Sequence, residues 1–319
     1  MVDEQGKWLN KDYGTDLLII GNGFDLAHGL KTNYMDFLNY SLELDCASVE
    51  IFEILKALLP YVLETDANMV KIIEPLKTLF SVVDNWIDLE NNLETSLRYV
   101  TNDDEMDAMT DIFNEFMLPE FEKYIATSIN QCKISPVFDD YALVRYTDIL
   151  CFNYSNTYER LYGQLPLKID NKNCRRQICY INGKAQANAD KSNIVFGTDY
   201  FDKENIKMSW FNKNFQRSYK STDDYYKDLQ RLHNPMSVSI IGHSLGKTDH
   251  HILKPGIDNQ NVQTTVYYHN EEWRRLFIHR IMDMLGEHSF KQRFINFRDI
   301  KEIMLNQSEN QSEVVSNAI

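Results

Sequence analysis

The apolar positions of this chain fall into short runs, and most of the runs end in polar turns that contain glycine. Leu17 to Ile20 is the first, breaking at Gly21-Asn22-Gly23 before a stretch with helical spacing. This is how a buried parallel strand passes into a helix. Three more runs behave alike: Gln177 to Ile181 ends in Asn182-Gly183, Asn193 to Phe196 in Gly197-Thr198-Asp199, and Ser237 to Ile241 in Gly242-His243-Ser244-Leu245. Asp148 to Phe152 ends in Asn153-Tyr154-Ser155-Asn156, ahead of a helix near Thr157. Val262 to Tyr268 alternates as a strand and precedes an amphipathic helix from Glu271, and residues 200 to 234 hold a helix around Asp223 to Leu232. Strands alternating with helices predict an α/β fold with a mostly parallel sheet. Ligands of such folds sit beyond the carboxyl ends of the strands, where all of these turns lie.

From Leu42 to about Gln131 the period is helical almost throughout, with breaks expected at Pro60, Pro75 and Pro119. The pattern predicts a large helical insertion over about 42–135, placed after the first strand–helix unit. Trp86, Leu89, Leu93, Leu97 and Val100 form an apolar stripe within it, and Glu90 lies on the edge of that stripe. Residues 1–14 form a polar lead-in, 15–305 one α/β domain with the insertion, and 306–319 a polar tail expected to be disordered.

Composition narrows the class. Hydrophobic residues make up 43% and charged residues 25%, as in a water-soluble globular protein. The net charge of −14 argues against a protein that coats nucleic acid or an anionic membrane. No apolar run approaches a membrane span, and MVDEQGKWLN lacks the apolar core of a signal peptide. The 5 cysteines show no Cys-x-x-Cys pair, which fits reduced thiols in a cytoplasmic protein and no structural zinc.

The turns carry the candidate chemistry. Gly21 and Gly23 allow positive φ and leave no Cβ between backbone and ligand, so their amides can approach a phosphate closely. The dinucleotide fingerprint is incomplete, since Leu26 stands in the third glycine's place and Gly29 follows three residues later. Asp25 is either a cap at the start of the first helix or a group that bonds a ribose hydroxyl, and Asp199 has the same two readings. Asn153 and Asn156 either cap the helix at Thr157 or face a ligand. Gly242-His243-Ser244-Leu245-Gly246 also fits the nucleophile elbow of α/β-hydrolases, with Ser244 as nucleophile. Only 75 residues follow Ser244, few for the remaining strands and triad loops of that fold. The adjacent His250 and His251 diverge on a helix and form no metal pair.

Together the blocks GNGFDLAHGL with Tyr34 and Phe37, WIDLE, FNYSNTYERLY, INGKA, IVFGTD and GHSLGKTDHHIL resemble the AbiH family of phage abortive-infection proteins over roughly residues 15 to 270. That family is similar to the sirtuin-like NAD-binding fold, so the resemblance implies a Rossmann-like, sirtuin-like sheet. It implies that Gly21, Gly23 and Gly29-Leu30 hold a pyrophosphate, with Asn22 and Phe24 in the same turn. It implies that Asn153 contacts the nicotinamide ribose and that Gly242, Ser244 and Leu245 hold the adenine-side ribose. Asn156, Gly183, Gly197 and Asp199 complete the implied ligand-facing turns. Where those families carry His-Gly, this chain has Asn182-Gly183, and asparagine takes no proton at neutral pH. His243 is the nearest titratable residue to stand in for that base. The implied activity is NAD glycohydrolysis without metal, with Asn153 and a carboxylate, Glu90 or Asp25, stabilising an oxocarbenium ion. A non-catalytic nucleotide sensor or scaffold is the alternative, and a Ser244 hydrolase the third. The implied partner is a nucleotide, with room for a phage-derived trigger and a homo-oligomer and none for a membrane.

Overall fold

The computed structural model describes residues 15–33, 36–37, 40, 114, 118–165, 167–169, 172–174, 176–187, 192, 194–198, 211–220 and 235–305. The lead-in, most of the expected insertion including Glu90, the turn residue Asp199, the helix expected over Asp223 to Leu232 and the tail lie outside them.

Six strands form one parallel sheet: β1 Thr15–Ile20, β2 Asp148–Cys151, β5 Gln177–Tyr180, β6 Pro235–Ile241, β7 Gln263–Tyr268 and β8 Phe294–Asp299. A separate antiparallel hairpin, β3 Leu167–Ile169 and β4 Lys172–Cys174, is the remaining pair. The sheet order is β5-β2-β1-β6-β7-β8. Counted along the chain, these six strands follow the doubly wound order 3-2-1-4-5-6 of Rossmann-like folds, whose direction of winding reverses between β1 and β6. The α/β, Rossmann-like expectation is met.

β1 explains why the sheet is buried on both faces. Leu18, Ile19 and Ile20 are each fully buried. Alternate side chains enter two different cores. Leu17 and Ile19 pack with Val238, Ile240, Leu150 and helices α6 His250–Ile257 and α7 Glu271–Leu285. Leu18 and Ile20 pack with Phe24, Phe138, Tyr146, Tyr158 and Tyr162. Removing a buried Leu or Ile side chain from water contributes about 1.5–3 kcal/mol. A four-residue run inserted between two layers is therefore a strong topological signal.

Helix boundaries follow local chemistry. Asn270 caps α7, its side chain accepting the Trp273 N–H at 2.9 Å, and α7 stops at Gly286 with φ 81°. Helix α1, Asn22–Ala27, ends in a Schellman turn, with Leu30 N–H donating to Asp25 O at 3.2 Å and Gly29 N–H to Leu26 O at 2.9 Å. Gly29 takes φ 72° there and is exposed. Pro119 falls in the first turn of α2, Leu118–Lys123, where its missing N–H costs no helical bond.

One predicted strand is absent. Residues 194–197 do not join the sheet, although Ile194, Val195 and Phe196 are buried. The Gln216 amide takes the place of a neighbouring strand, accepting from Phe196 N at 3.1 Å and donating to Phe196 O at 2.6 Å. Val195 N–H donates to Asn182 O at 2.8 Å, and Tyr154 OH to Val195 O at 2.9 Å. Apolar content alone does not distinguish such a stretch from a strand.

Candidate functional site

The ends of β1 and β6 meet backbone to backbone. Gly23 N–H donates to Gly242 O at 2.8 Å, and Gly21 N–H to Ile241 O at 3.2 Å. A Cβ on Gly21 would lie 2.7 Å from His243 Cα, and one on Gly242 only 2.1 Å from Phe24 N. Gly242 also sits at φ 65°. This corrects the expected role of the first turn: Gly21 and Gly23 do not take positive φ, and their amides are used on β6 rather than facing a phosphate. They are glycines because two turns press together at the switch point.

A cavity of about 480 Å³ opens there. Among its lining residues are Gly21, Asn22, Gly23, Asp25, Asn153, Asn182, Gly242, His243 and Ser244, so four predicted turns do converge. Ser155, Phe152, Tyr154, Thr248, Asp249, Tyr267, His269 and Trp273 also line it. Its volume lies within the range of small-molecule sites.

Asp25 is a buried acid facing this space. It is 1% exposed, and Ser155 Oγ donates to its Oδ2 at 2.5 Å. Oδ1 has no hydrogen-bond partner. Burial raises its pKa from 3.8 to about 6, against the lowering effects of Ser155, Thr157 and Asn153. The helix-cap reading of Asp25 fails, since Gly21 holds the cap position and the carboxyl turns towards Ser155. Asn153 is 5% exposed, and neither its Oδ1 nor its Nδ2 completes a hydrogen bond, although the amide lies near enough to favour ionised Asp25. Buried polar atoms are nearly always paired, so three unpaired atoms on one cavity wall mark a place where a ligand would complete the bonding.

A second polar cluster lines the cavity through Asn182, Lys213, His243 and Asp249. Arg217, on α5 Lys213–Lys220, donates through Nη2 to Asn182 Oδ1 at 2.7 Å and to Asp249 Oδ1 at 2.9 Å. Asn182 Nδ2 donates in turn to Phe152 O at 3.0 Å. Burial alone would raise Asp249, but Lys213, the His243 hydrogen bond and Arg217 hold it well below the usual carboxylate range. His243 accepts from Leu245 N–H at 2.9 Å through Nδ1 and points Nε2 at Asp249 Oδ2, 3.5 Å away. Its ring packs edge-on against Phe152 at 4.3 Å. Both nitrogens of His243 are thus held inward, which corrects its reading as a substitute base. His251 is lowered to about 4 by burial and by Arg217.

Several expected ligand contacts lie elsewhere. Phe24 is a core residue stacked on Phe138 at 5.1 Å, and Gly29 is the Schellman cap described above. Leu245 is fully buried in the core at φ 59°. Gly183 takes φ 80° in the turn after β5, and a Cβ on Gly197 would lie 2.0 Å from Phe211 O. Asn156 occupies the cap position of α4, Thr157–Leu161, without a capping bond from its side chain. His28 packs, as expected: Nδ1 bonds Phe24 O at 2.7 Å and Nε2 bonds Tyr162 Oη at 2.9 Å. No elbow forms at Ser244. The left-handed residues of this turn are Gly242 and Leu245, not Ser244, a 3₁₀ turn over Lys247–Asp249 precedes α6, and among the described residues no histidine hydrogen-bonds the serine side chain. The described residues contain no group of three or more His, Cys, Asp or Glu able to hold a metal ion.

Ser155, Arg217 and Lys213 were missed by sequence reasoning. Ser155 was within reach, as the second polar residue after Asn153 in a strand-end turn. Nothing local marks Arg217 or Lys213.

A parallel sheet in this order, with a cavity at its switch point, defines a Rossmann-like α/β protein. The chain belongs to the AbiH family: the family model described as "Bacteriophage abortive infection AbiH" matches residues 17–270, and with it comes an antiphage abortive-infection role. No curated protein matches the chain. Among the described residues no helix is long and apolar enough to cross a membrane.

Proposed function

We infer that this AbiH protein stops infection by binding NAD or a related nucleotide at the switch-point cavity and cleaving its nicotinamide–ribose bond. The observation that carries this reading is the pairing of Asp25 with Asn153, buried side by side with three unsatisfied polar atoms at the ends of β1 and β2. A ribose presents hydroxyls that donate to Asp25 Oδ1 and Asn153 Oδ1 and accept from Asn153 Nδ2. Phe152, Tyr267, His269 and Trp273 supply aromatic surface for a base.

The chemistry asks little of a proton donor. The C1′–N bond breaks with its electron pair going to nicotinamide, which leaves as a neutral base. The Asp25 carboxylate opposes the positive charge on the ribosyl ring, water adds at C1′, and its proton passes to a carboxylate or to solvent. The products are nicotinamide, ADP-ribose and one proton. A carboxyl with a pKa of about 6 is mostly ionised at neutral pH, so this route needs no histidine at position 182. The sirtuin-like fold that the family resemblance implies favours NAD by analogy alone.

The test is nicotinamide release from NAD by the purified protein. Asn153→Ala is expected to cut release by about 100-fold or more, while Ser244→Ala leaves it within a few-fold. The rate should climb as pH rises through about 6 and level off above it, since Asp25 must lose its proton. Tight NAD binding without release would make the protein a sensor. Absence of both binding and release would remove the proposal.

A further inference from the structure

We propose that Asn182 and Arg217 are positioning residues that hold Asn153 in place, so that Asn182 is a brace rather than the remnant of a lost base. This rests on the role assigned to Asn153 above. Every polar atom of the Asn182 side chain is directed at the protein: Oδ1 accepts from Arg217 Nη2 at 2.7 Å and Nδ2 donates to Phe152 O at 3.0 Å. Phe152 O is the carbonyl of the peptide bond that leads into Asn153. The bond therefore fixes the plane from which the Asn153 side chain springs. All the groups are deeply buried, with Asn182 5% and Arg217 2% exposed. Bonds of this kind are stronger there than at the surface, and the guanidinium is a fixed planar fork.

The brace links more than one turn. Arg217 Nη2 also donates to Asp249 Oδ1 at 2.9 Å, and Asp249 Oδ2 faces His243 Nε2 at 3.5 Å. His243 lies on the β6 turn, which presses on Gly21 and Gly23 of the β1 turn. One side chain on α5 thus joins the ends of β5, β2 and β6, and through β6 the end of β1, around one cavity. Asparagine suits the position because it offers an acceptor and a donor about 2 Å apart on one planar group.

Histidine at this position separates the two ideas. Its Nδ1 takes the place of the amide oxygen and still accepts from Arg217, but a ring C–H replaces the amide N–H that holds Phe152 O. If Asn182 is a lost base, Asn182→His raises turnover. If it is a brace, Asn182→His and Asn182→Ala both lower kcat for nicotinamide release, by about 10- to 100-fold, with KM nearly unchanged. An unchanged or raised kcat in either variant overturns the proposal, while release by the unmodified protein keeps the glycohydrolase reading intact. If the unmodified protein neither binds nor cleaves NAD, that reading falls and a ligand-free measurement decides this one. The Asn153 side-chain amide pair in a ¹⁵N–¹H spectrum is identified by its loss in Asn153→Ala. Its displacement in Asn182→Ala and Asn182→His, with the folded spectrum otherwise kept, supports the brace, and its persistence at the original shifts overturns it.

Discussion

Asp25 carries a stability cost that its surroundings do not remove. In the unfolded chain its carboxyl ionises near 3.8, and in the folded protein near 6. Between those pH values the unfolded chain has released its proton and the folded one still holds it. Stability therefore falls as pH rises through this window and stays lower above it. The difference corresponds to at most ~3 kcal/mol. Asp25→Asn keeps an oxygen to accept from Ser155 and removes the charge. It should raise the melting temperature at pH 7.5 by several degrees, with the gain vanishing near pH 4, while nicotinamide release is lost. Thermal melts at the two pH values check the first claim. A residue that destabilises the fold where it is most ionised has the energetic signature of a functional acid.

At the level of elements, the contact between the β1 and β6 turns leaves no room for a side chain. Gly242→Ala places a Cβ 2.1 Å from the Phe24 amide nitrogen at φ 65°, so the overlap cannot be relieved without separating the two turns. The expected cost is about 3 kcal/mol or more. Gly29→Ala meets nothing within 4 Å and bears only its left-handed φ of 72°, about 1–2 kcal/mol. Denaturant midpoints of the two variants should rank in that order. Gly29 lies in the block GNGFDLAHGL and Gly242 in GHSLGKTDHHIL, and both invited a ligand-facing reading. Only the position of each turn in the fold separates a packing contact from a helix cap. The strands were largely legible, because a run such as Leu17 to Ile20 has few alternatives once it must be buried. The segment 194–197 was not, because a single glutamine amide replaced the strand partner that its apolar residues suggested.

At the scale of the whole molecule, family membership predicts a phenotype that the cavity must support. Cells expressing Asn153→Ala should lose protection in a phage plating assay while the variant accumulates to the level of the unmodified protein. Full protection by that variant would detach the antiphage role from the cavity. The chain by itself determined five of the six strands of the sheet, β1, β2, β5, β6 and β7, the turns at their ends and the family it belongs to, but not the edge strand β8. These depend on local hydrophobic period and on short motifs, and both are written along the chain. Which turn residues face one another was decided only in three dimensions. Asp25 meets Ser155 across 130 positions, and Arg217 meets Asn182 across 35, because the sheet order sets β2 and β6 on either side of β1. A strand's neighbours are set by the packing of the entire sheet, so no stretch of sequence specifies them.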